Sequence, residues 1–203
     1  MKRRTLDLIF ATGGLLMAGL ILVLGLVLQN QANFAKDYVH NQLAEQKIVF
    51  TPSSALGKDT QAQCLKNNAG KPLTSGKQAE CYANNYIRVH LTEVNDGKTY
   101  AETSNAQRAV ETQLTAVSDK SSAEAKNLSA QNDELTAQVQ TLFRGETLRG
   151  LLLTSYGFSI FGERAQTAAY VSYALALVLF LAAIAGYIHA ATKNADHVVL
   201  TQE

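Results

Sequence analysis

A chain of 203 residues with a formal net charge of +1 has room for one modest domain plus membrane segments. Between residues 30 and 164 the 14 basic residues are matched by 14 acidic ones, which excludes electrostatic capture of nucleic acid or of an acidic substrate. The apolar share of 47% is ordinary, but it is concentrated at the two ends and leaves a polar middle.

The chain opens on Met1-Lys2-Arg3-Arg4, and from Leu8 to Leu28 it carries no charge. About 20 apolar residues cross the hydrocarbon core at 1.5 Å rise per residue, so this run suffices. It exceeds the apolar region of a signal peptide, about 7 to 15 residues, and 29–35 offers no small-x-small cleavage site. The expectation is a cytoplasmic tail (1–7) followed by an uncleaved transmembrane helix (8–29).

Residues 30–149 read as a helical insert. A first helix is predicted to continue through Phe34, Tyr38, Val39, Leu43 and Ile48 and to end before Pro52, which disfavours helix in its predecessor. Pro52, Gly57, Gly70 and Pro72 make 51–74 mostly loop, with a short helix around Cys64. Ser75-x-x-Gln78 has the pattern of a capping box, in which side chain and backbone at a helix start satisfy each other. The helix it opens carries Tyr82, Tyr86, Ile87, Leu91 and Val94 and ends at Asn95-Asp96-Gly97. A second box, Thr99-x-x-Glu102, leads to Val110, Leu114 and Val117, and a third, Ser121-x-x-Glu124, leads to Leu128, Leu135, Val139 and Leu142. Period-two alternation is nearly absent, so the fold class is all-α: a two-span transmembrane hairpin with a helical extracytoplasmic insert.

Helices this thinly apolar seal a narrow seam rather than a thick core around a pocket. Leu128, Leu135 and Leu142 fall seven apart, but Asn132 interrupts them, so one face of a small bundle is expected and not an oligomerising coiled coil. Cys64 and Cys81 are the only cysteines. With no further ligand at metal-site spacing, an extracytoplasmic disulfide is expected. It would close a loop of about 18 residues and contribute roughly 3 kcal/mol.

After a charged turn (142–149), the uncharged run Gly150 to Gly162 is too short, at about 13 residues, to cross a bilayer. It reads, through 164, as a juxtamembrane element lying on the membrane or on a partner. Its candidate contact residues are Leu148, Leu151, Leu152, Tyr156, Phe158 and Phe161, with Arg149 paired to Glu146 one turn back. The second span is 165–191 and the C-terminal tail 192–203. Lys2, Arg3 and Arg4 before the first span and Lys193 after the second place both tails in the cytoplasm. No charge falls at mid-membrane, which argues against transport by this chain alone. Gly14 with Ala18, and Ala182 with Gly186, are small residues at packing spacing, suited to packing the spans on each other or on helices of a larger assembly.

No constellation for chemistry emerges. His40 and His90 have no His or Cys three or four residues on, and nothing pairs Glu80, Glu93, Glu134 and Glu146 by spacing. No nucleophile elbow, phosphate loop or dinucleotide fingerprint occurs. Asn127-Leu128-Ser129 fits the glycosylation sequon, a pattern too short to carry weight. The reading assigns no catalytic, metal or cofactor-binding residue and no cofactor.

Three stretches, 34–43, 82–91 and 142–162, together with Gly97-Lys98-Thr99-Tyr100, resemble a group of small two-span membrane proteins of actinobacteria. Members often carry the label of an aromatic ring-opening dioxygenase. That chemistry wants two histidines and a carboxylate on one face, and the external histidines here are far apart. The resemblance implies fold and topology, and no catalytic residue. The expected function is an accessory or structural subunit on a larger membrane complex, with a respiratory assembly as one candidate host. An extracytoplasmic sensor or ligand-binding module is the alternative, and an envelope enzyme ranks third. Expected partners are membrane lipid and other membrane proteins, not nucleic acid.

Overall fold

A computed structural model describes residues 3–57 and 62–192. Lys2 and Lys193, which bear on the expected orientation, lie outside the described residues, as does the tail beyond them. The fold is all-α: α1 (Arg3–Glu45), α2 (Gln63–Asn68), α3 (Gly76–Tyr82), α4 (Arg88–Thr92), α5 (Tyr100–Ala116) and α6 (Ala123–Thr192). A π-helical turn, Ala83–Ile87, joins α3 to α4, and 3-10 turns lie at Ser53–Ala55 and Val94–Gly97. Among the described residues there is no strand, only an isolated antiparallel bridge between Val49 and Pro72.

Two of the three expected capping boxes form. The Ser75 hydroxyl accepts from the Gln78 N–H while the Gln78 side chain accepts from the Ser75 N–H, and Thr99 and Glu102 do the same. The third is displaced by one residue. Asp119 accepts from the Ser121 N–H at 2.8 Å in the turn, leaving Ser122 to cap α6 by accepting from the Ala125 N–H at 3.1 Å. The first helix stops at Glu45, short of the expected end near Pro52, because Lys47 turns the backbone to φ 52°. Asn95, Asp96 and Gly97 all have positive φ, which ends the α4 region as expected.

The chain divides into two compact units, one of residues up to 37 and from 160 onward, the other of 38–159. The first is an antiparallel helix pair with a seam of very small residues. Ala11, Ala18, Gly25 and Ala32 are buried on α1, and Gly162, Ala169, Ala176, Ala183 and Ala190 on α6, each series repeating every seven residues. A strict seven-residue repeat keeps such a seam aligned through a left-handed supercoil, and small side chains let the backbones approach. The Tyr173 ring lies against Gly25, where a Cβ would sit 2.7 Å from Cε1. Gly14, Ala18 and Gly186 pack as expected, a Cβ on Gly14 meeting Ala183 at 3.8 Å and one on Gly186 meeting Ala11 at 3.1 Å. Ala182 does not: it is exposed, and its neighbour Ala183 takes the seam position. At one end the Thr12 and Tyr187 hydroxyls lie 2.9 Å apart, and Arg3 donates to the His189 Nε2 at 3.3 Å. Both long helices contain a segment apolar enough to cross a membrane, with mean hydropathy 2.4 and 2.3. Outward side chains such as Phe10, Leu20, Val171 and Val178 are exposed.

The second unit has a denser core than the thin helices suggested. Val39, Leu43, Phe50, Leu65, Leu73, Ile87, Leu91, Leu142 and Leu152 form one buried cluster with Ala79, Cys81 and Ala83. Most of it comes from 39–91, where the Cys64–Cys81 disulfide ties α2 to α3. Backbone bonds from Phe50 to Lys71 (3.0 Å) and from Leu73 to Ile48 (2.8 Å) hold the loop segments against one another. The stretch 100–142 is the expected narrow seam, a helical hairpin turned by 117–122. Asn132 does not interrupt it, because its Oδ1 accepts from Gln107 Nε2 at 3.0 Å in a half-buried polar layer. Such a layer fixes the register of a helix pair. Residues 142–149 form no turn, since α6 is continuous through them and on through 150–164.

Candidate functional site

The candidate contact residues all lie on α6, and helical geometry sorts them. Leu148, Leu151 and Phe158 are exposed, at 39%, 62% and 38%. Leu152 is not available: it is 2% exposed and belongs to the core, since one step along a helix turns a side chain by about 100°. Tyr156 is half-buried, its Cα only 3.3 Å from where a Gly76 Cβ would stand. Phe161, in the other unit, is exposed at 75%.

Phe143 joins the exposed set at 57%. Its spacing to Leu151 and Phe158, eight and then seven residues, puts all three on one helix face; the charged residues around it hid that period. Two aromatic residues from elsewhere in the unit extend the surface. Tyr100 lies 5.8 Å from Phe143, and Tyr38 packs edge-on against Phe158 at 5.6 Å, between ring centroids. Both tyrosines are themselves exposed. The result is a line of large apolar side chains running for about 22 Å along α6, at 1.5 Å per residue.

A polar cluster lies nearby in the same unit. Arg149 pairs with Glu146 at 3.1 Å, as expected, and a second nitrogen reaches Asn84 Oδ1 at 3.4 Å. Asn84 donates to Glu80 at 3.0 Å and its carbonyl accepts from Arg88 Nε at 3.1 Å. Among the described residues, Arg149 and Glu146 are the one ion pair in this cluster, and, partly exposed, the pair contributes little to stability.

Across the π-helical turn the rings form a row: Phe50 meets Tyr82 edge-on at 5.3 Å, Tyr82 stacks on Tyr86 at 4.7 Å, and Tyr86 lies tilted against His90 at 4.4 Å, between centroids. Burial, and secondarily the neighbouring Tyr86, pushes the Tyr82 phenol above its ordinary pKa. His90 Nδ1 lies 2.8 Å from the Tyr86 carbonyl, which assigns the proton to Nδ1 when the ring is neutral. His40 and His90 are both exposed, and among the described residues no group of His, Cys, Asp and Glu is placed to hold a metal ion. Glu93, Glu134 and Glu146 are exposed, and Glu80 faces Asn84 rather than a second carboxylate.

No family model, curated protein or solved structure matches this chain. The site therefore rests on its own geometry, and what that geometry offers is contact area. Large, stiff aromatic and aliphatic side chains in an aligned row suit an apolar partner surface.

Proposed function

We propose that the protein is an accessory or structural subunit that docks on a larger membrane protein complex, with both spans in the bilayer, both termini cytoplasmic and the 38–159 unit outside. The carrying observation is the exposed line of Phe143, Leu151 and Phe158, flanked by Tyr38 and Tyr100, in the unit that contains no span. Large apolar side chains exposed along one face of a water-facing domain support an interaction site there. The disulfide supports an oxidising compartment for that unit. The outward apolar faces of both long helices support the bilayer as their solvent. This reading keeps the chain beside the two-span actinobacterial proteins it resembles, with a respiratory assembly as one candidate host.

Gentle detergent extraction followed by mass spectrometry tests the proposal. The wild-type chain should come down with stoichiometric membrane partners, and the triple variant Phe143→Ser, Leu151→Ser, Phe158→Ser should lose them while remaining folded, because none of the three belongs to the buried core. A clean monomer in every mild detergent, or unchanged partners with the triple variant, would overturn it.

A further inference from the structure

Where α1 begins and α6 ends, the first unit brings three ionisable side chains together. His189, near the end of α6, meets Arg3 and Asp7 of α1. Both partners approach one atom, the His189 Nε2, which lies 3.3 Å from an Arg3 terminal nitrogen and 3.9 Å from Asp7 Oδ2.

These two contacts exclude each other. A guanidinium has donors only, so Arg3 bonds Nε2 only where that nitrogen is a bare lone pair, in the neutral ring with its proton on Nδ1. An ionised carboxylate has acceptors only, so Asp7 bonds Nε2 only where it carries a proton. Protonation also sets a like charge against Arg3 and an opposite charge against Asp7. The observed distances correspond to the neutral arrangement, with Arg3 near hydrogen-bond distance and Asp7 beyond it. Arg4 is exposed beside Arg3, and Lys2 and Lys193 lie outside the described residues. On α6 the neighbouring ionisable group is Tyr187, whose hydroxyl meets that of Thr12 at 2.9 Å. That hydroxyl contact holds the helix ends together whichever partner His189 takes.

We propose that His189 is a proton-operated latch between the two long helices. Neutral, it ties α6 to Arg3 in the first turn of α1; protonated, it moves to Asp7 and frees that turn, with Arg3 and Arg4. The tie shifts by about 6 Å along α1, at 1.5 Å per residue. The His189 and Asp7 side chains are 40% and 28% exposed, so the exchange changes a local contact rather than the stability of the pair. The latch needs only the helix pair, and neither the docking nor the topology proposed above.

NMR on the isotope-labelled full chain in phosphatidylcholine nanodiscs tests it at about pH 8 and about pH 5, on either side of the range in which an imidazole ordinarily titrates. At the higher pH the His189 ring should carry its proton on Nδ1 and show contacts to the Arg3 side chain. At the lower pH those contacts should be lost and contacts to the Asp7 side chain gained. A spin label at Arg4→Cys should become more mobile with the same acidification. In the His189→Gln background, where the amide oxygen accepts from Arg3 at either pH, the label should not respond. Unchanged ring contacts, or a label in the wild-type background that does not gain mobility in acid, would overturn the latch. So would Arg3 itself turning to Asp7 in acid, one turn along its own helix, in place of His189.

Discussion

The small-residue pair in the first unit and the α5–α6 hairpin in the second are both antiparallel helices, and their outer faces are opposite. Ala11, Ala18, Ala169, Ala176 and Ala183 line the first seam, and the faces away from it carry many large apolar side chains, such as Phe10, Leu20, Val171 and Val178. The second seam mixes Val110 and Ala125 with Thr103 and the Gln107–Asn132 pair, and its outside is charged and amidic. A seam of small or mixed residues says little about the solvent around it. The outer faces distinguish them: one pair's suits hydrocarbon, the other's suits water.

That contrast breaks most readily in the first seam. Leucine at both Ala169 and Ala183 should push the helices apart at two independent points, at roughly 2–6 kcal/mol in total. Ala182→Leu, one position along and exposed, should stay within about 0.5 kcal/mol. Unfolding in mixed micelles distinguishes the two, and equal effects would dissolve the seam. In the second seam, Gln107→Ala leaves Asn132 half-buried without its partner and should cost about 1 kcal/mol. The double variant Gln107→Leu, Asn132→Leu should recover that loss and loosen the register instead, visible as heterogeneous crosslinking between α5 and α6.

The smallest effect is electrostatic and confined to the hairpin. Hydrogen bonds from the Thr99 backbone and hydroxyl hold Glu102 below its ordinary pKa of 4.5, and those from Ser121 hold Asp119 below 3.8. Depressed folded-state pKa values mean that the stabilisation is present above the unfolded values and is lost as pH falls through the folded ones. Helix content around α5 should therefore fall modestly below about pH 4, and Glu102→Gln should remove most of that dependence in a circular dichroism titration. The alanines and glycines of the first seam carry nothing that titrates.

The expectations that held rested on short-range chemistry. Apolar run length, two capping boxes, the cysteine pair and the positive-φ stop at Asn95-Asp96-Gly97 each depend on a few adjacent residues. Those that failed depended on what a helix packs against. The charges and glycines at 144–150 read as a turn, yet α6 runs through them: Arg144 and Glu146 are exposed, Arg149 reaches Asn84, and Gly145 lies where a Cβ would stand 2.4 Å from Leu91. Leu152 and Leu151 are indistinguishable by composition, and only the helix phase separates core from surface. Asn132 looks like a defect until Gln107 is placed opposite it. The seven-residue run of buried alanines was present in the sequence throughout, hidden because alanine counts as apolar on every face.

Cysteine labelling in intact cells tests the division between lipid-facing and water-facing pairs most directly. Cys64 and Cys81 are joined, so a single introduced cysteine reports alone, at Gln131, Val178 or Arg4, all exposed positions. A membrane-impermeant maleimide should label Gln131→Cys from outside, label Arg4→Cys only after permeabilisation, and leave Val178→Cys unlabelled in both cases. Reaction at Val178→Cys in intact membranes, or protection of Gln131→Cys from the outside, would contradict the account.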